Sequence, residues 1–322
     1  MARLFGEFDR IDRYFRPLAT DPDIALGLGD DAAILPAHGA KDRVISTDTM
    51  VEGVHFLPRT DPHRLAQKLL RVNLSDMAAM GAKPLCYFLS ISLPDDILET
   101  WLHGFSDGLL RDQTTFGLSL AGGDSTRTDG PLVLTITIVG EVTPGHMLRR
   151  DGGQAGDIVF VSGYIGDGHL GLMAAQGGLG DLSGAAHDYL VKRYELPNPR
   201  VTLGQALVQA GILAGLDVSD GLVADLGHLC QQSGLTATID MPAVPLSVPA
   251  REALAAGYVE QAALITGGDD YELVFAVPPD QAATIQTTVD DGFGPKIHAI
   301  GRLEPAAAPS ADRGAKCVCA WG

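Results

Sequence analysis

The sequence predicts a two-domain protein of mixed α/β (α+β) class, on three observations. Its 322 residues, 46% of them hydrophobic, are enough for two cores of ordinary size. Strand-like and helical runs follow one another without a simple alternation, so a mixed sheet is expected in the first half. A Gly-rich, polar break over residues 143–156 then separates two such patterns. The expected domains are residues 1–147 and 148–322.

The elements follow in order. Residues 7–16 read as a short helix, and 24–28, 32–35 and 44–50 as strands. Asp61-Pro62 is a strong helix start, Asp as N-cap and Pro at the first helical position, for a helix running to about Met80. A strand over 85–93, a helix over 95–116 and strands over 118–121 and 132–142 complete the first half. The second half opens with a strand at 157–162, then helices at 168–176, 184–193 and, after Pro197 and Pro199, 200–210. A short strand at 216–218 leads into a helix at 221–232 with Leu222, Leu226 and Leu229 on one face. Strands follow at 235–240, 272–277 and 297–302, and the Ala/Pro-rich stretch 305–314 reads as a loop.

Composition narrows the partners. Lys and Arg total 23 against 40 acids, a net charge of −17. Nucleic acids and anionic membranes call for a basic surface, so both are excluded as general partners. ATP is not excluded, because Mg²⁺ offsets its charge. Cys86, Cys230, Cys317 and Cys319 form no C-x-x-C pair and no zinc spacing, which fits a reducing cytoplasm. Charged residues near the start leave no signal-peptide core, and no apolar run reaches membrane-spanning length.

Acidic clusters stand where strands are expected to end: Gly29-Asp30-Asp31, Ser46-Thr47-Asp48, Gly122-Gly123-Asp124, Asp217-Val218-Ser219-Asp220 and Gly267-Gly268-Asp269-Asp270. Hard cations take oxygen ligands, and Mg²⁺ usually binds a few carboxylates together with substrate phosphates. Glycine lets a backbone approach a phosphate. Asp76 falls on one helical stripe with Leu65, Leu69 and Val72. A carboxylate on an apolar face must be paired or bound to metal, so Asp76 is a buried ion pair, a cap or a metal ligand. Ser46 and Asp48 share one strand face, and Thr47 takes the other unless the strand bends. Asp124 stands where a strand-to-loop turn would present a carboxylate and backbone amides, although Gly-Gly-Asp-Ser is also ordinary turn chemistry. Ser219 or Asp220 caps the helix that follows, or that helix end binds a phosphate. His55 lies seven residues after Asp48, as a structural histidine or a substrate contact. The G-x-G-x-x-G match at Gly166–Gly171 is set off from its strand by extra residues and is a weak signal. No P-loop is present.

In order and over most of the chain, these segments resemble the thiamine-monophosphate kinase family. The carrying motifs are Gly27-Leu28-Gly29-Asp30-Asp31-Ala32-Ala33, Ile45-Ser46-Thr47-Asp48-Thr49 with Gly53-Val54-His55-Phe56, Asn73-Leu74-Ser75-Asp76-Met77-Ala78-Ala79-Met80-Gly81-Ala82, Gly122-Gly123-Asp124-Ser125-Thr126-Arg127, Asp217-Val218-Ser219-Asp220-Gly221-Leu222 and Gly267-Gly268-Asp269-Asp270-Tyr271-Glu272-Leu273. The third is shared with the wider superfamily of enzymes like aminoimidazole-ribonucleotide synthetase. The resemblance implies that superfamily's two-domain fold, with the N-terminal mixed sheets pairing across a homodimer. It implies ATP in a cleft between the domains with several Mg²⁺ ions. The implied reaction is direct in-line phosphoryl transfer from ATP to thiamine monophosphate, the last step of thiamine diphosphate biosynthesis, in the cytoplasm. Transferred by motif position, the metal ligands are Asp31, Ser46, Thr47, Asp48, Asp76, Asp124, Asp217 and Asp220. ATP contacts are Asp31, Thr47, Gly123, Asp124, Arg150 and Ser219. Substrate contacts are His55, Asp269 and, for the family's C-terminal aromatic, Trp321, although the chain reads Ala320-Trp321-Gly322 in place of the usual His-Phe. No side chain is required as general base, because the acceptor is already a phosphate.

The rival readings are three: another enzyme of the same superfamily, such as selenophosphate synthetase or aminoimidazole-ribonucleotide synthetase, a nucleotide sensor, and an oxidoreductase. Selenophosphate synthetase needs a reactive residue near the N-terminus, whereas the first cysteine here is Cys86. The hydrogenase-maturation relatives need a terminal cysteine, which Cys319 is not. A non-catalytic Mg-nucleotide sensor would bind ATP without turnover, and a nicotinamide oxidoreductase would rest on the weak glycine motif alone.

Overall fold

The computed structural model describes Asp30 and residues 32–35, 40–180, 182–292, 295–306 and 317–320. The expected helix at 7–16, the strand at 24–28 and the candidates Asp31 and Trp321 lie outside these residues.

Strands β1 (Ala33–Leu35), β2 (Asp42–Val51), β3 (Lys83–Leu93), β4 (Ser119–Arg127) and β5 (Val133–Val142) form a five-stranded sheet in the order β1-β2-β5-β3-β4. All neighbours are antiparallel except β3 and β4. The period-two pattern sorts its faces. Val44, Ser46 and Met50 of β2 and Leu134, Ile136 and Ile138 of β5 are buried on the inner face. Hydroxyl pairs Thr47–Thr137 (3.0 Å) and Thr49–Thr135 (2.8 Å) join the same strands on the outer face. β2 does not bend, since its register with β5 is unbroken from Asp42 to Val51.

Helix α1 (Pro62–Ala79) starts as the sequence predicts: Asp61 accepts the Arg64 N–H at 3.0 Å, with Pro62 at the helix start. Leu65, Leu69 and Val72 are buried, but so are Leu70, Leu74 and Met77. The helix is buried well beyond one stripe because it packs on the five-stranded sheet, on α2 (Glu99–Phe116) and on elements of the second half. It is the spine that both halves share.

The second sheet contains β6 (Ile158–Ser162), β7 (Ala214–Val218), β8 (Leu235–Asp240), β9 (Glu272–Val277), β10 (Ile297–Pro305) and β11 (Cys317–Ala320), in the order β11-β8-β10-β6-β9-β7. Only the β11–β8 pair is parallel. Around it lie α3 (Asp167–Ala175), α4 (Gly184–Glu195), α5 (Val201–Gln209), α6 (Leu222–Ser233), α7 (Val248–Ala255), α8 (Gln261–Thr266) and α9 (Ala282–Gly292). Helices α7, α8 and α9 and strand β11 were not expected. One hydrophobic core crosses the halves, joining Leu65 and Leu69 to Leu203, Leu207, Phe275 and Val277. A second lies beneath α6, with Leu222, Leu226 and Leu229 at its centre.

One expectation is overturned. β4 does not stop at residue 121 and turn. It runs through Gly122, Gly123 and Asp124 to Arg127, because β3 offers a parallel partner over that whole length. Gly123 is required there: a Cβ would overlap the Leu89 carbonyl oxygen.

Candidate active site

A cavity of about 900 Å³ lies between the two halves of the fold, within the usual range for small-molecule sites. Ser46, Thr47, Asp48, His55, Asp76, Arg150, Asp217, Ser219, Asp220 and Asp269 all border it, as does Asp30. Gly123 and Asp124 do not. Asp48, Ile136, Leu89 and Gly123 lie on one cross-strand row, so Gly123 is three strand spacings, roughly 14 Å, from Asp48.

The first wall is made of regular elements. Ser46 on β2 donates its hydroxyl to Asp76 Oδ2 at 2.5 Å. The preceding α1 residue, Ser75, donates to Asp217 Oδ2 at 2.6 Å. Consecutive residues of one helix thus hold a hydrogen bond to each half. Asp76 is the point where the buried helix opens to the cavity, as its partly exposed surface records. Thr47 turns its hydroxyl away, to Thr137 and the Ile136 carbonyl (3.1 Å). His55 Nδ1 accepts the Val51 N–H at 3.0 Å, so the ring's other nitrogen carries the hydrogen in the neutral form.

The second wall is made of Asp217 near the end of β7 and of the loops beyond it. Asp269 N–H donates to Ser219 O at 2.9 Å and Tyr271 N–H to Val218 O at 2.8 Å, stitching residues 218–219 to 269–271. Gly268 packs on the Ser219 carbonyl with no room for a side chain. Asp269 and Tyr271 take left-handed backbone conformations (φ 71° and 52°), which non-glycine residues hold only when their surroundings enforce it. The enforcement comes from below. Arg193 donates to Asp270 O at 3.2 Å, and Glu272, fully buried, is gripped by Arg193, Arg200 and Ser162.

The two helix N-termini near the cavity are already filled. One Asp225 oxygen accepts the amides of Ser219, Asp220 and Gly221 at 3.0, 3.0 and 3.1 Å. Neither Ser219 nor Asp220 caps α6, and its end is not open to a phosphate. Asp270 likewise accepts the amides of Gly166 (2.7 Å) and Gly168 (2.9 Å), which disposes of the G-x-G-x-x-G match as a nucleotide motif.

Sequence reasoning missed Lys68, Tyr194 and Tyr271. Tyr271 is pushed well above the ordinary phenol range by burial first, then by Asp269, Asp48 and Asp217 around it. Lys68, eight residues before Asp76, is a lysine inside an apolar run, a signal that was legible. Burial lowers its pKa, opposed by Asp269.

The donors facing the cavity from both walls are oxygen: carboxylates of Asp48, Asp76, Asp217 and Asp220, with the Ser46 hydroxyl between strand and helix. Hard divalent cations such as Mg²⁺ require such a set, so the residues fit that ion.

A two-half fold with an acid-lined cavity between the halves defines the class of AIR synthase related proteins. The model of that family's N-terminal domain matches residues 29–142, and that of its C-terminal domain residues 154–312. The chain is 42% identical over 301 residues to the thiamine-monophosphate kinase of Caulobacter vibrioides, covering 92% of this chain and 84% of that one. It is 45% identical over 277 residues to the thiamine-monophosphate kinase of Escherichia coli O157:H7, covering 85% and 83%. Among solved structures, the thiamine-monophosphate kinase of Stenotrophomonas maltophilia K279a aligns with a TM-score of 0.77 at 40% identity, covering 94% and 95% of the two chains. AaThiL complexed with AMPPCP and TMP aligns with a TM-score of 0.83 at 28% identity, covering 98% and 99%. The chain belongs to the thiamine-monophosphate kinase family.

Proposed function

We propose that this protein transfers the terminal phosphoryl group of ATP to thiamine monophosphate, giving thiamine diphosphate and ADP. The observation that carries the reading is the convergence of carboxylates from both halves of a thiamine-monophosphate kinase fold on one cavity. Phosphoryl transfer between two anions needs positioning and charge neutralisation more than acid–base help.

In this reading Ser46, Asp48, Asp76, Asp217 and Asp220 would hold Mg²⁺, which when bound would neutralise phosphate charge. Thr47 and Asp31 join that set, and Arg150 and Ser219 contact ATP. The Ser46–Asp76 and Ser75–Asp217 hydrogen bonds hold two carboxylates in place before any ligand arrives. His55, Asp269 and Trp321 contact the thiamine phosphate. Transfer is direct and in line, without a phosphoenzyme. An acid-quenched reaction with labelled ATP should leave no label on the protein, and a labelled side chain would overturn that step.

Gly123 and Asp124 enter the reading through a second copy of the chain. β4 is an exposed edge strand, and its own Leu120 and the neighbouring Phe88 of β3 are about half exposed. Long unprotected edges invite pairing. A homodimer formed through this sheet would carry Asp124 to the neighbouring copy's cavity, and a monomeric mass in light scattering would count against it. Residues 1–147 then supply the dimer surface and 148–322 complete the nucleotide and substrate site. No helix among the described residues is long and apolar enough to cross a membrane, in keeping with a cytoplasmic enzyme that uses neither membrane nor nucleic acid.

The test is direct. Purified protein with thiamine monophosphate, ATP and Mg²⁺ should yield equal amounts of thiamine diphosphate and ADP by chromatography, abolished by EDTA. ATP binding without product would favour a different acceptor or a nucleotide sensor.

A further inference from the structure

Lys68 is a buried ammonium with an unusual set of neighbours. Its side chain is 3% exposed, and its Nζ makes no hydrogen bond of good geometry. It stands 3.3 Å from Asp269 Oδ1 and 3.4 Å from the centre of the Tyr194 ring. Both of those residues border the cavity, whereas Lys68 does not. The same Asp269 oxygen lies 3.3 Å from the Tyr271 hydroxyl. Among the described residues the other Asp269 oxygen has no hydrogen-bond partner. A buried ammonium held by one ion pair and one aromatic ring, without a hydrogen bond, is costly, and a methionine of similar length would fill the same space without that cost. Stability therefore does not explain a lysine here.

We propose that Lys68 is a positioning residue for the acceptor. It anchors one oxygen of Asp269, and the Tyr194 ring beside it, so that the other oxygen meets the organic end of the acceptor, where a cationic thiazolium is joined to a neutral aminopyrimidine. This rests on the reading that Asp269 contacts thiamine monophosphate. The geometry explains how the carboxylate is aimed, since Lys68 and the Tyr271 hydroxyl both meet the same Asp269 oxygen. An attraction to one oxygen pins the carboxylate, and cation–π contact pins the ring. Lys68 does not border the cavity and acts through Asp269, so its effect falls on recognition of the substrate that Asp269 meets.

Steady-state kinetics of Lys68→Met and Lys68→Arg, with thermal melts, test the assignment. Lys68→Met should keep or raise the melting temperature. It should raise KM for thiamine monophosphate by about tenfold or more while KM for ATP and kcat stay within about threefold. Lys68→Arg should recover part of the loss. In a double-mutant cycle with Asp269→Asn, the second substitution should add little to the first. An unchanged KM for thiamine monophosphate, equal rises in both KM values, full additivity with Asp269→Asn, or failure of Lys68→Met to fold would each overturn the assignment. The wild-type protein run in parallel separates the two readings. No turnover of thiamine monophosphate by wild type overturns the function and this role together, whereas normal wild-type turnover with an unaffected Lys68→Met overturns this role alone.

Discussion

The two walls of the cavity hold their acids by opposite means. Asp48 and Asp76 stand on a strand and a helix, whose backbone hydrogen bonding fixes where each side chain starts, and the Ser46 hydroxyl meets Asp76. Asp220 and Asp269 stand on loops, and Asp269 has a left-handed backbone. There the fold spends a buried network of Glu272, Arg193 and Arg200, together with Asp270 and Asp225, on holding the main chain. The comparison teaches that a wall of regular elements needs few supporting side chains, while a wall of loops shifts its cost into charged groups that never face the ligand.

The sharpest way to break the comparison is Glu272→Ala. It leaves Arg193 and Arg200 buried with their main acceptor gone, and should lose about 3–5 kcal/mol of stability, read by urea denaturation. Asp76→Asn is the converse case. It should cost about a hundredfold or more in kcat with little change in melting temperature, since Ser46 can still donate to the amide oxygen. If Asp76→Asn unfolds the protein, the acid is structural. Asp225→Ala frees three amides at the start of α6, and should cost about 1–2 kcal/mol together with activity, because Ser219 and Asp220 lose their frame. Denaturant midpoints and turnover measured on one preparation would check both parts. Ser75→Ala removes one hydroxyl from Asp217 and should be mildest, about 1 kcal/mol and a few-fold in rate, unless the link between the halves carries more than one hydrogen bond's worth.

The same contrast explains what was legible in the sequence. Asp61-Pro62 announced α1, and the stripe through Asp76 announced a carboxylate that needed a partner. Both are local periodic signals, which regular elements write into sequence. The loop wall was legible only as acids beside glycines. That Asp225 and Asp270 fill helix ends, or that Glu272 anchors the turn from beneath, depends on side chains far apart in sequence meeting in space. Gly123 and Asp124 were misread for a related reason: Gly-Gly-Asp-Ser is sound turn chemistry until a neighbouring strand, whose partner residues Leu89 and Ser90 lie far back in the chain, extends it. Lys68 could have been found by the rule that found Asp76, a charge within an apolar helical run.

The filled helix ends have one more consequence. In many nucleotide sites, free backbone amides at a helix start hold phosphate whatever its counter-ion. Here α3 and α6 have closed those positions with the chain's own carboxylates. A triphosphate arriving without a cation meets the carboxylates of Asp48, Asp76, Asp217 and Asp220 that border the cavity, whereas one already neutralised meets no such repulsion. Occupancy of the cleft then follows the free divalent-cation level as well as the nucleotide level, and the cleft sorts its visitors by charge before shape.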